Sequence, residues 1–147
     1  MKSQTYALGT LETYKYVVVA SRYEGKILLS RHRERSTWET QGGHVELGET
    51  PLEAARRELY EESGAVEFDL VALCDYRAWD EVTGRGANGV VFAADIHKLV
   101  DIPESEMEEV RTFDALPENL TYPAITPEVF ACLNRLGGFD VVLEAKR

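Results

Sequence analysis

The sequence predicts an α/β fold, a mixed β-sheet with helices packed on it. Two observations carry this. Segments rich in β-branched and aromatic residues lie on both sides of one strongly marked helix, and a second helix comes late in the chain. With 147 residues, 44% hydrophobic and 29% charged, the chain is large enough for a packed core and is expected to be one domain, 1–147. No internal repeat, low-complexity tract or linker interrupts it.

The first strand signal is TYKYVVVASRY, 13–23. Glu24-Gly25 turns the chain into KILLSRHR, 26–33, its expected hairpin partner. RERSTWETQGG is polar and reads as a loop. The helix that follows is bounded by clear start and stop signals. Thr50 caps it, Pro51 occupies the first position where no backbone N–H is missed, Glu53 closes a capping box, and Gly64 supplies a left-handed stop. Leu52, Ala55 and Leu59 then share the face expected to pack on the sheet. Strands are expected at 65–79 and 87–100, split by Gly84 and Gly86, with a short one at 110–113. Residues 126–138 repeat the pattern of proline at the start and glycine at the end, with Val129, Leu133 and Leu136 on one face. FDVVLE, 139–144, reads as a last strand or an ordered tail.

Net charge is −10, which argues against general binding to nucleic-acid duplexes or anionic membranes. A small phosphorylated substrate stays open, because a bound cation or a few arginines reverse the local field. Cys74 and Cys132 have no metal-like spacing and are expected to be buried, reduced thiols. The N-terminal segment lacks the apolar stretch of a signal peptide, and no apolar run approaches the ~20 residues that cross a bilayer, so a cytoplasmic location is expected.

The helix carries an unusual concentration of charge. Glu58, Glu61 and Glu62 fall within an arc of roughly 100°, beside the apolar face rather than opposite it. A bare ExxEE is usually a solvated acidic face. Here Gly42-Gly43 precedes the helix and lets backbone approach a ligand closely, and Arg57 is placed to pair with Glu53 or Glu61. Oxygen-only ligands gathered this way suit a hard cation, Mg²⁺ or Mn²⁺.

These residues resemble the Nudix hydrolases, whose box is G-x5-E-x7-R-E-U-x-E-E-x-G-U, where U is a bulky aliphatic residue. This chain has Gly43, five residues, Glu49, seven residues, then Arg57, Glu58, Leu59, Tyr60, Glu61, Glu62, Ser63, Gly64 and Ala65. Only Ala65 is smaller than usual. Upstream, the family often has Trp-x-x-Pro-Gly-Gly; here Gln41 stands in place of the proline after Trp38, which is expected to loosen the turn slightly. The element order resembles the family's α/β/α sandwich.

The resemblance implies metal-dependent hydrolysis of a phosphoanhydride bond in a nucleoside diphosphate derivative. It makes Glu58, Glu61 and Glu62 metal ligands for Mg²⁺ (with Mn²⁺ able to substitute) and the Gly43 carbonyl a further ligand, while Glu49 either holds Arg57 or stands behind the ligands, keeping the cluster in geometry. The base that takes a proton from water is one of the box glutamates or a glutamate from PESEMEEV, Glu106 or Glu109. Arg31, Arg33 and Arg35 alternate at a strand end and are candidates for phosphate, with His44 a weaker one. His32 and His97 have no partners at ligand spacing. Tyr76, Trp79 and Asn88 are candidates for a nucleobase pocket. LPENLTYPAITPEVF resembles the closing segment of bacterial family members that clear nucleoside triphosphates, including 8-oxoguanine nucleotides. The leading expectation is therefore a nucleoside triphosphate cut to monophosphate and pyrophosphate. The alternatives are hydrolysis of ADP-ribose, a nucleotide sugar or a capped RNA end, and a nucleotide-binding regulator that has lost catalysis. The resemblance also allows a homodimer.

Overall fold

The computed structural model describes residues 1–145. Its elements are β1 (Lys2–Ala7), β2 (Tyr14–Tyr23), β3 (Lys26–His32), β4 (Gln41–His44), α1 (Pro51–Ser63), β5 (Ala65–Trp79), β6 (Gly86–Leu99), β7 (Met107–Phe113), α2 (Thr126–Arg135) and α3 (Asp140–Glu144). Six strands follow the order β1-β5-β6-β2-β3-β7, and β4 pairs with β2 off that path. The β2–β6 pair is parallel and the other pairs are antiparallel, so the sheet is mixed as expected.

Alternation along the strands divides the core between two faces. Val17, Val19, Leu28, Val90, Phe92, Ala94 and Ile96 pack against Ala54, Ala55 and Leu59 of α1. Ala20, Leu73, Cys74, Tyr76, Val91 and Ala93 face the other way, against Val129, Phe130, Cys132 and Leu133 of α2 and Val142 of α3. Cys74 and Cys132 are buried free thiols whose sulfurs lie 2.8 Å apart. Asp75 is fully buried, and one of its oxygens accepts from Leu11 N and the Tyr14 hydroxyl, each at 2.8 Å. These bonds tie the β1–β2 loop to the sheet.

The capping signals of α1 act as read. Thr50 Oγ1 accepts from Glu53 N at 3.1 Å, the Glu53 carboxylate accepts from Thr50 N at 3.0 Å, and Gly64 ends the helix at φ 81°. A Cβ on Gly64 would meet the Val100 carbonyl oxygen at 2.2 Å. Gly64→Ala is thus expected to cost more than the ~1 kcal/mol of a left-handed backbone alone. Urea denaturation would check this, the midpoint falling with unchanged slope.

Several expectations need correction. Leu52 is 44% exposed; Ala54 joins Ala55 and Leu59 instead, because the first turn of α1 extends past the packed part of the helix. Leu136, 46% exposed, lies beyond the end of α2. Residues 139–144 are not a strand. Gly137 and Gly138, both at positive φ, reverse the chain, and Val142 is then buried from the short helix α3. The edge strand β1 has no signal in the sequence, since its polar residues carry no apolar alternation. β4 falls where the sequence predicts a loop, because two glycines are poor strand formers; pairing of Gln41, Gly42 and Gly43 with Val19, Val18 and Val17 imposes the strand. β7 begins at Met107 rather than at residue 110, so Glu109 belongs to a strand.

Candidate active site

The carboxylate arc of α1 lies over β4, and the glycines are what allow it. A Cβ on Gly43 would meet Glu58 Oε1 at 2.5 Å, and one on Gly42 would meet the Val17 carbonyl oxygen at 2.4 Å. Gly42 is thus pressed into β2 while Gly43 sits against the Glu58 carboxylate. Glu62 reaches the same backbone, accepting from Gly42 N at 2.7 Å. Glu58 and Glu62, one turn apart on the helix, therefore meet two successive glycines on one strand.

Arg57 organises the outer rim. Its Nε and Nη2 donate to the two oxygens of Glu49 at 2.7 and 2.9 Å, a bidentate pair. Its Nη1 lies 2.7 Å from Glu58 Oε1 and 3.4 Å from Glu61 Oε2, and Nη2 donates to the His44 carbonyl at 3.0 Å. Glu53, offered as a partner by helical spacing, is occupied by the capping box instead. The hydrogen bonds from Arg57 hold the Glu49 carboxyl down at about 2.

The inner carboxylates behave oppositely. Burial pushes Glu62 up to about 9, reinforced by the charges of Glu58, Glu39 and Glu106 and opposed by the Gly42 N–H. Burial also raises Glu58, against the pull of Arg57. Glu39, 6% exposed, is raised by burial too, with Arg35 at 3.4 Å as its partner. Sequence reasoning misses Glu39, because nothing distinguishes it from the other acidic residues of its stretch. Because the folded Glu62 keeps its proton above its ordinary 4.5, the folded chain binds more protons than the unfolded one between about 4.5 and about 9. In cation-free buffer, stability is therefore expected to fall as pH rises through that window. Glu62→Gln should flatten the slope, as measured by urea denaturation in EDTA across the neutral range.

Among the described residues, no three carboxylate, imidazole or thiol groups already converge as a metal site. The donor set nonetheless suits a hard cation. Glu58 and Glu62 offer desolvated carboxylate oxygens, with Arg57 shared among Glu49, Glu58 and Glu61, beside a backbone that a side chain at 43 would block.

The second row of candidates is dispersed. Arg31 donates to Glu109 at 3.2 Å and approaches Glu108 at 3.6 Å, so the candidates Arg31 and Glu109 neutralise each other. Arg111 also donates to Glu109, and the two arginines lower its pKa, which makes it a poor base. Arg33 binds the Ser105 carbonyl through its side chain, and its N–H donates to the Glu106 carbonyl at 2.9 Å. Glu106 itself is 78% exposed at its side chain, 3.8 Å from His32 Nε2, and its charge is felt at Glu62 and Glu39. The Tyr76 side chain is 5% exposed in the core on the sheet face opposite α1, because strand alternation turns it there. Asn88 is spent on the Glu12 carbonyl at 2.7 Å and on Arg77 at 3.1 Å. Trp79 ends β5, paired with Gly86. His44 packs edge-on against Tyr16, and His97 pairs with Asp69 at 2.7 Å.

The NUDIX domain model matches residues 13–129. The chain belongs to the Nudix family. It is 38% identical over 112 residues to a Bacillus subtilis (strain 168) protein named "Putative 8-oxo-dGTP diphosphatase YtkD", covering 73% of this chain and 66% of that one. It is 34% identical over 62 residues to the RNA pyrophosphohydrolase of Francisella philomiragia, covering 42% of this chain and 40% of that one. The chain thus matches less than two thirds of the length of these two relatives. The crystal structure of a mutant of the Bacillus subtilis pyrophosphohydrolase BsRppH superposes with a TM-score of 0.76 at 30% identity, covering 92% of this chain and 91% of that one. A UDP-X diphosphatase at 23% identity and TM-score 0.66, covering 95% of this chain and 67% of that one, shares the fold. Family members generally use divalent metal ions, which this Nudix chain's paired carboxylates would suit.

Proposed function

We propose that this Nudix protein is a Mg²⁺-dependent pyrophosphohydrolase. Its substrate is a nucleoside triphosphate, oxidised forms included, and water converts it to the monophosphate and pyrophosphate. The observation that carries this reading is the desolvated pair Glu58 and Glu62, drawn against the Gly42-Gly43 backbone within an intact box.

Glu58, Glu61, Glu62 and the Gly43 carbonyl would hold the cation, and Mn²⁺ would replace Mg²⁺. When bound, such a cation neutralises polyphosphate oxygens and lowers the pKa of water. Arg57, pinned by Glu49, keeps Glu58 and Glu61 from swinging into solvent. Glu106 is an exposed carboxylate on the loop next to this cluster and is free to take a proton from the attacking water; a box glutamate is the competing base. Arg33 and Arg35 border the same edge, where phosphate would find positive charge. No described helix is long and apolar enough to cross a membrane. A nucleotide substrate of this kind would place the enzyme in the cytoplasm.

A second reading is favoured by the relatives named RNA pyrophosphohydrolase and by the BsRppH superposition. In it the triphosphate belongs to the 5′ end of an RNA. A panel of dGTP, 8-oxo-dGTP, ADP-ribose, a nucleotide sugar and a 5′-triphosphorylated oligonucleotide, each followed by chromatography of its phosphorylated products (nucleoside monophosphate with pyrophosphate, sugar phosphate or phosphate) with Mg²⁺ and with EDTA, separates these. Release from a triphosphate that stops in EDTA is the expected result. Turnover that survives chelation contradicts the cation site, and no turnover on any member favours a binding protein.

A further inference from the structure

Gln41 occupies the position where the family often has proline, and its contacts lead straight to the carboxylate cluster. The side chain is fully buried. Its Oε1 accepts from the Ser21 hydroxyl at 2.6 Å, and its Nε2 donates to the Ser30 hydroxyl at 2.9 Å. Ser30, also fully buried, donates in turn to the backbone carbonyl of Glu62 at 2.8 Å. That carbonyl lies in the last turn of α1, where a helix has no N–H of its own left to offer. One chain of bonds thus runs from β2 through β4 and β3 into the end of the helix.

The next residue completes a clamp. Gly42 donates its N–H to the Glu62 carboxylate. Glu62 is therefore held at both ends by the Gln41-Gly42 unit, at its carboxylate directly and at its carbonyl through Ser30. Proline at 41 has no side-chain amide and makes none of the Ser21 or Ser30 contacts. A fully satisfied buried network of this kind is rigid, because breaking any member leaves a desolvated polar group.

We propose that Gln41 and Ser30 are positioning residues for Glu62, locking the last turn of α1 to the glycine backbone so that Glu58 and Glu62 meet a cation in fixed geometry. Ser21 acts one step further out by orienting the Gln41 amide. The inference rests on the cation-site reading above. It also inverts the sequence expectation that Gln41 loosens the turn, since its side chain ties three strands together.

The test is Mn²⁺ binding to the purified full chain without nucleotide, followed by electron paramagnetic resonance, alongside kcat and KM for the triphosphate identified by the panel. Ser30→Ala and Gln41→Leu are each expected to weaken Mn²⁺ binding about tenfold to a hundredfold, as loss of groups supporting metal ligands does. Both should lower kcat while KM changes by less than about twofold, since neither touches substrate. The double variant should bind little worse than either single one, because both act through the same carbonyl. If Gln41→Leu does not fold by circular dichroism, Ser30→Ala, which deletes one hydroxyl, decides alone. Wild-type Mn²⁺ affinity in a folded Ser30→Ala overturns the proposal, as does a loss of thermal stability with no change in affinity. Failure of the underlying reading looks different: then the wild-type chain binds no Mn²⁺, or Glu62→Gln binds it as well as wild type.

Discussion

Glu62→Gln is expected to remove at least a hundredfold to a thousandfold of cation-dependent turnover, about 3–4 kcal/mol of barrier, while the protein stays folded. The two halves of this result have one cause. Burial makes the Glu62 carboxylate costly to ionise, and without a cation it holds its proton to about pH 9. Glutamine keeps an oxygen for the Gly42 N–H and adds no charge, so the resting fold loses little. What it cannot do is become an anion when a cation arrives, and binding a cation to a protonated site requires that proton to leave. Glu61→Gln should lower turnover as well, but its side chain is 45% exposed and held only at 3.4 Å by Arg57, so its cost in fold is smaller still. Steady-state rates with saturating Mg²⁺, beside circular dichroism melts in EDTA, check both halves. Near wild-type rates in both variants would take α1 out of the catalytic site.

Leu59→Ala should do the reverse and cost about 2–5 kcal/mol of stability. Leu59 is fully buried within the α1 face of the core, among Val17, Val19, Leu28, Phe92 and Ile96. Its neighbours on the helix, Ala54 and Ala55, are too small to fill the space. The strands beneath are held by their ladders, so the cavity cannot collapse fully. The urea midpoint should drop with little change of slope. Residual folded protein should still bind Mn²⁺, because the Leu59 side chain supplies no ligand atom. A stability loss under about 1 kcal/mol would mean that α1 is not seated on the sheet as described.

Local chemistry is legible in the sequence. Thr50, Pro51, Glu53 and Gly64 each act through their own backbone, so the ends of α1 follow from neighbours along the chain. The valine-rich and aromatic segments are strands for the same reason. β4 is not legible, since QGGH has no strand preference and takes its shape only from β2. Nor is α3, whose valines suggest a strand although two glycines turn them onto β5 and β6. Among the candidate site residues, Arg31 and Glu109 stand far apart in sequence, and the antiparallel register of β3 and β7 sets them opposite one another.

By itself, the sequence determined the helix that carries Glu58, Glu61 and Glu62, the two glycines ahead of it, and membership of the Nudix family. The first two follow from spacing along one segment, and the third from the resemblance of that segment to the family's box, matched by the domain model. Only the tertiary structure decided that Glu39 and Glu106 bear on Glu62, that Tyr76 turns to the opposite face, and that the Gln41 amide reaches the end of α1. Such relations join residues from different strands, and which of them meet is set by register and burial rather than by any stretch of neighbouring letters.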